Sequence, residues 1–198
     1  MIKIAITGNI GTGKSTVSKI IESLGYKVFD SDYEVKKLLK QDNIVQLIFK
    51  EFSKDIPDLL NKENKVDTKS LGEHVFANKK ALTKLEEILH PIIRRNLKRF
   101  LANNDKEKIA FFDIPLLFEK KLHKNYNFII YTTIDSKTQK KRVLERTQMN
   151  EDKYEKILKN QTKMTEKLKK FVSLELNTNQ EKSDLEIKIK KFIRNVVV

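Results

Sequence analysis

The chain has 198 residues, with 41 Lys and Arg against 27 Asp and Glu and a formal net charge of +14. It contains no cysteine, which excludes a disulfide framework and thiol catalysis, and no apolar run approaches membrane-spanning length. The length suits one domain with a sizeable core and room for an insert.

The chain opens on "MIKIAIT" (1–7), an apolar run with β-branched residues that reads as a strand rather than a cleavable signal. "GNIGTGKST" follows, from Gly8 to Thr16. It holds three of the chain's five glycines, Gly8, Gly11 and Gly13, and fits G-x-x-x-x-G-K-[ST]. "STVSKIIESLG" then repeats Val17, Ile20, Ile21 and Leu24 at helical spacing, with Gly25 as a stop. Strand, glycine loop and helix are the setting a phosphate-binding loop requires. The glycines let backbone N–H groups turn inward around phosphate oxygens, and the helix N-terminus adds partial positive charge. Gly8, Asn9, Ile10, Gly11, Thr12, Gly13, Lys14, Ser15 and Thr16 are thus the candidate cradle for the phosphates of a nucleoside triphosphate such as ATP. Lys14 would reach the β- and γ-phosphates and the Ser15 hydroxyl would ligate Mg²⁺.

"YKVFDSD" (26–32) reads as a second strand ending in carboxylates, and 33–105 as mostly helical, interrupted by Pro57 and the polar stretch 61–67. That stretch is too long for a simple crossover and reads as a substrate-binding insert. His90 precedes Pro91, which marks a kink or a helix start. "KIAFFDIPLLFE" (108–119) begins as a buried strand, "NFIIYTTID" (127–135) is another, and "FVSLELNT" (171–178) is a weaker last one. "SKTQKKRVLERTQ" (136–148) and "NEDKYEKILKNQTKMTEKLKKF" (150–171) read as charged helices, and the chain closes on an amphipathic helix from 182. Strands alternating with helical crossovers predict an α/β fold, a parallel sheet of about five strands flanked by helices.

Ligands of such sheets bind outside the carboxyl ends of the strands. There the sequence offers Asp30 and Asp32 after the second strand and Asp113 after the third. Asp32 and Asp113 are candidates to orient the accepting hydroxyl and to support Mg²⁺. For Asp30, a turn or helix cap serves as well as function. Arg142 and Arg146 are four apart and would share a helix face, as a lid gripping phosphate or as a solvated face paired to Glu145 or Glu151.

The chain resembles the dephospho-coenzyme A kinase family over almost its full length. The resemblance rests on "TGNIGTGKSTVSKIIESLGYKVFDSD", "LHPII" (89–93), "DIPLLFE" (113–119) and "KRVLERTQMNEDKYEKILKNQ" (141–161), in that order. It implies a single P-loop kinase domain over 1–198, with a CoA-binding helical insert at 33–105 and a helical lid at 137–165. It implies ATP, Mg²⁺ and dephospho-CoA as partners, the reaction being transfer of the γ-phosphate to the ribose 3′-hydroxyl. Asp32 would be the general base or hydroxyl-orienting group, Lys14 would stabilise the transferring phosphoryl, and Arg142 and Arg146 would lie near ATP. His90, Pro115, Leu116 and Glu119 would shape the acceptor pocket. Asn9 and Thr12 stand where the family usually shows Gly and Ser. The family's Asp-Asn-x-Gly turn after the last strand is replaced by Asn177 and Asn179, which would keep the turn by tolerating positive φ.

Another acceptor on the same fold, such as a nucleoside monophosphate, is the alternative. A GTPase should carry N-K-x-D, and "NKKA" (78–81) and "NKEN" (61–64) lack the aspartate. The positive charge is mostly Lys mixed with acids, without a nucleic-acid recognition motif, so neither nucleic acid nor a membrane is expected as partner. A cytoplasmic enzyme is expected, and no residue pattern specifies an oligomeric state.

Overall fold

A computed structural model describes residues 1–147 and 149–197. Five strands form one sheet: β1 (Ile2–Thr7), β2 (Val28–Asp30), β3 (Ile109–Asp113), β4 (Phe128–Thr133) and β5 (Leu174–Asn177). Their spatial order is β2-β3-β1-β4-β5, and every pairing is parallel. β1 is central. The chain leaves it for β2 on one side and later returns across it from β3 to β4, so its carboxyl end lies where the strand order reverses.

The apolar runs of these strands follow from burial on both faces. All five residues of β3 are buried. Ile4 and Ile6 point to one face, where they pack with Val17, Ile20 and Ile21 of α1 (Lys14–Ser23). Leu185, Ile189 and Ile193 of the C-terminal helix, which begins at Lys182, complete that layer. Ala5, Ile129 and Tyr131 point to the other face and pack with Leu117 and Phe118. Phe111 and Phe112 divide in the same way, the first meeting Tyr26 edge-on and the second meeting Tyr126 at a tilt.

Two compact units can be distinguished: residues 1–30 together with the chain from 104 onward, and residues 31–103. The second unit is helical. It comprises α2 (Ser31–Leu38), α3 (Asp42–Phe52), α4 (Thr68–Ala77) and α5 (Lys79–Asn103) around its own core, which includes Leu38, Ile44, Ile48, Phe52, Leu59 and Leu71. Asp67 caps α4 by accepting from the Ser70 N–H at 2.7 Å. That bond and a second from the Ser70 side chain lower its pKa. Asn78 separates α4 from α5, since its amide oxygen accepts from Lys80 N and Ala81 N.

Of the kink or helix start that His90-Pro91 could mark, the helix start does not occur. Pro91 lies inside α5, which runs unbroken for 25 residues. Proline removes one helical hydrogen bond and crowds the preceding turn, at about 3 kcal/mol. Leu85, Ile88 and Leu89 before it, and Ile92 and Ile93 after it, all pack on the same core, so burial on both sides offsets that cost.

In the first unit, the charged stretch after β4 also divides differently from the sequence pattern. It forms α6 (Ser136–Leu144), α7 (Glu151–Asn160) and the short α8 (Glu166–Lys169), ahead of α9 (Lys182–Val197). Among the described residues no helix is long and apolar enough to cross a membrane.

The 31–103 core yields a direct test. Phe52 is 1% exposed. Phe52→Ala is expected to lower unfolding stability by about 3–5 kcal/mol in a urea titration. A loss below about 1 kcal/mol would contradict this packing.

Candidate active site

The glycine loop joins β1 to α1 at the carboxyl edge of the sheet. Gly11 and Gly13 sit at φ 78° and 84°. A Cβ on Gly11 would lie 2.6 Å from Val143 Cγ2, and one on Gly13 would lie 2.9 Å from Thr178 Oγ1. Conformation and crowding both demand glycine there.

A loop that turns N–H groups inward turns carbonyls outward, and those carbonyls need donors. Lys14 Nζ donates to Gly8 O at 2.7 Å and Asn9 O at 3.2 Å. Thr12 Oγ1 donates to Asn9 O at 2.7 Å and lies 2.7 Å from Thr132 Oγ1 on β4, which itself reaches Thr7 O at 3.3 Å. Thr178 Oγ1, just past β5, donates to Thr12 O at 2.9 Å. Gln139 Nε2 of α6 donates to Ile10 O at 2.7 Å, and Ile10 N–H donates to Gln161 Oε1 at 2.9 Å. The Ile10 N–H is therefore committed to a side chain of the same chain. The hydroxyl at position 12 serves equally as Ser or Thr.

Asp113 ends β3, is 5% exposed and accepts from Ser18 Oγ of α1 at 2.8 Å. Asp30 ends β2 in register with Asp113, so two carboxylates stand side by side on the carboxyl edge. Asp32 is not at a strand end. β2 stops at Asp30, and Asp32 lies in the first turn of α2, where a carboxylate is favoured by the helix dipole. It thus belongs to the 31–103 unit, as does His90 on α5. Ser15 and Thr16 lie in the first turn of α1, with Ser15 exposed.

Arg142 and Arg146 do not share a helix face. α6 ends at Leu144, and Arg146 lies in the following turn, its N–H donating to Val143 O at 3.1 Å. The chain turns there because Asn150 caps a new helix, accepting from Lys153 N at 2.9 Å. Arg142 donates to Thr178 Oγ1 at 3.2 Å and to Thr178 O at 3.3 Å. Glu151 pairs at 2.9 Å with Lys140, not with either arginine.

The turn after β5 also differs from expectation. Among the described residues neither Asn177 nor Asn179 has positive φ. Instead Asn177 Oδ1 accepts from Asn179 N at 3.0 Å, and Asn179 Nδ2 donates to Asp135 Oδ2 at 2.6 Å. Asp135 is the N-cap of α6. Hydrogen bonds from Thr138, and then from Asn179, hold its pKa down at about 2.

In the segment after β3, Leu117 and Phe118 are buried in the core beneath the sheet, whereas Leu116 is 41% exposed. Pro115 O accepts from the Thr7 hydroxyl, and Glu119 Oε1 accepts from Thr162 N at 2.7 Å. Among the described residues no cluster of three or more His, Cys, Asp or Glu is suited to hold a metal.

Sequence reasoning missed Thr132, Asp135, Gln139 and Thr178. Their signals are faint: a hydroxyl towards the end of a strand, an aspartate just before a charged helix, an uncharged amide in a lysine-rich helix, and a threonine between two asparagines.

Comparisons with known proteins show what the chain as a whole is similar to. The family model for dephospho-CoA kinase matches residues 2–182. A dephospho-CoA kinase of Fusobacterium nucleatum is 37% identical over 194 residues, covering 98% of this chain and 97% of its own. The solved dephospho-CoA kinase of Campylobacter jejuni superposes with a TM-score of 0.69 at 31% identity, covering 98% of this chain and 96% of its own. The crystal structure of TT1252 from Thermus thermophilus superposes at 0.81 with 26% identity, covering 100% of this chain and 98% of its own. With a parallel five-stranded sheet, a phosphate-type loop at its switch point and these relatives, the chain belongs to the dephospho-CoA kinase family of phosphotransferases.

Proposed function

We propose that the Gly8–Thr16 loop holds the phosphates of ATP and that the enzyme transfers the γ-phosphoryl to the 3′-hydroxyl of the ribose of dephospho-CoA. The observation that carries this reading is the loop itself, whose carbonyls at 8, 9, 10 and 12 are all fastened outward by side chains. The outward carbonyls of Gly8, Ile10 and Thr12 leave the N–H groups of Asn9, Gly11 and Gly13 for an anion, whereas the Ile10 N–H is held by Gln161. The start of α1 adds its dipole and Lys14 its charge.

In this reading Lys14 exchanges its loop carbonyls for phosphate oxygens and neutralises charge as the γ-phosphoryl moves. Asp32 orients the acceptor hydroxyl and takes its proton while the new O–P bond forms and the bond to the departing ADP breaks. Ser15 and Asp113 would hold Mg²⁺, Asp113 through water, and the ion would supply charge neutralisation at the phosphates. Ser18 fixes the Asp113 carboxylate by the 2.8 Å bond. The 31–103 unit, which carries Asp32 and His90, binds the acceptor, and Pro115, Leu116 and Glu119 are the acceptor-binding candidates of the first unit. Residues 137–165 act as a lid that brings Arg142 and Arg146 towards ATP and excludes water. ATP and dephospho-CoA are the partners, without nucleic acid or membrane, and the cytoplasm is the compartment.

A coupled assay of ADP release across acceptors tests this. Turnover is expected with dephospho-CoA and not with nucleoside monophosphates, and the opposite pattern would overturn the assignment. Lys14→Ala and Asp32→Asn are each expected to lower kcat by about 10²–10⁴-fold with an unchanged circular dichroism spectrum. Near-normal turnover of Asp32→Asn would remove it as the base. Arg142→Ala should raise the KM for ATP or lower kcat by roughly tenfold, a magnitude ordinary for a charge-assisted contact. An unchanged kinetic profile would reduce Arg142 to its structural bonds with Thr178.

A further inference from the structure

Ile10 is gripped at both of its backbone polar groups by side chains far away in sequence. Its N–H donates to Gln161 Oε1 at 2.9 Å, across 151 positions, and its carbonyl accepts from Gln139 Nε2 at 2.7 Å, across 129. Gln139 rides on α6. Gln161 follows α7 directly and turns the chain out of that helix, its own N–H donating to Ile157 O and Leu158 O. Both side chains are half-buried. The next residue is anchored as well, through the bond from Thr162 N to Glu119 Oε1 at 2.7 Å.

The two bonds act on two different peptide units. The N–H belongs to the Asn9–Ile10 peptide and the carbonyl to the Ile10–Gly11 peptide, so together they fix both backbone dihedrals of Ile10. In a planar trans peptide the C=O and the following N–H point in opposite directions. Drawing the Ile10 carbonyl towards Gln139 therefore turns the Gly11 N–H the other way, away from α6. Drawing the Ile10 N–H towards Gln161 likewise turns the Asn9 carbonyl away from Gln161, to where it meets Lys14 Nζ and Thr12 Oγ1. We propose that Gln139 and Gln161 are positioning residues that clasp Ile10 and thereby aim the Gly11 N–H at the nucleotide's phosphates and the Asn9 carbonyl at the Thr12 hydroxyl. This deepens the ATP-binding reading of the loop and rests on it.

The same amide group is used in opposite senses, as donor from Gln139 and acceptor from Gln161, and this separates a clasp from space filling. Gln→Met keeps the volume and removes either bond. Gln161→Glu keeps an acceptor, whereas Gln139→Glu sets a carboxylate against a carbonyl. With the full-length protein, ATP affinity by calorimetry is expected to fall about tenfold in Gln139→Met and in Gln161→Met, the scale of one lost hydrogen bond in a confined site. The double variant should lose no more than about threefold beyond the weaker single, because both bonds restrain one residue. In the nucleotide-free protein, hydrogen exchange at the Ile10 amide should accelerate in Gln161→Met and stay slow in Gln161→Glu. Wild-type ATP affinity in the folded Met variants, multiplied losses in the double variant, or an Ile10 amide as slow in Gln161→Met as in wild type would each overturn the clasp. Should a Met variant fail to fold, the Ile10 exchange rates in Gln161→Glu and Gln139→Glu decide, and equal slowing or equal acceleration in both overturns it. If wild-type protein binds no ATP, the reading of the loop fails, while the exchange measurement still tests the clasp.

Discussion

Turning backbone N–H groups inward to meet an anion forces the neighbouring carbonyls outward, and the rest of the site is arranged around satisfying them. A buried carbonyl left without a donor costs about 1–3 kcal/mol, so a loop with several would not hold its shape unaided. Here the donors come from four places: Lys14 and Thr12 within the loop and its helix, Gln139 on α6, and Thr178 beyond β5, with Thr132 of β4 supporting Thr12. The loop is thus the joint at which two strands and the helices after β4 are fastened together. The same crowding explains the glycines, since Thr178 and Val143 occupy the space a Cβ would need.

The sheet order makes this possible. With β1 central, β3 brings Asp113 to one side of the loop and β4 brings Thr132 to the other, with Thr178 arriving from the end of β5. Thr132 is fully buried near the end of a strand that begins Phe-Ile-Ile, and its hydroxyl is accounted for by its place beneath the loop. Arg142 binds Thr178 from above, so the residue that fastens the loop also fastens the helix proposed as part of the lid.

Much of the fold was legible because parallel strands buried on both faces are continuous apolar runs, and "IKIAIT", "IAFFD" and "FIIYTT" announce themselves. The loop was legible because its glycines and Lys14 form a pattern with a mechanism. Element ends were less so. Asp32 reads as strand from its neighbours, but carboxylates suit a helix start; Arg146 reads as helix, but the Asn150 cap draws the chain into a turn; Pro91 reads as a kink or a helix start, but burial on both sides carries α5 through it. Thr132, Gln139 and Thr178 were hidden for a different reason. Each is a single side chain bonded to a backbone atom more than a hundred residues away or to another hydroxyl across the sheet, and no periodicity marks such a partner.

The central claim is that these donors hold the loop in its phosphate-binding shape before any nucleotide arrives. Crystal structures of the enzyme without nucleotide and with an ATP analogue test it most directly. The account predicts that the backbone of residues 8–16 shifts by less than about 1 Å between them, as in preorganised sites, with the Lys14 side chain leaving the Gly8 and Asn9 carbonyls for the phosphates. A loop that is refolded by the nucleotide, with the Gln139, Thr132 and Thr178 bonds formed only in its presence, would contradict it.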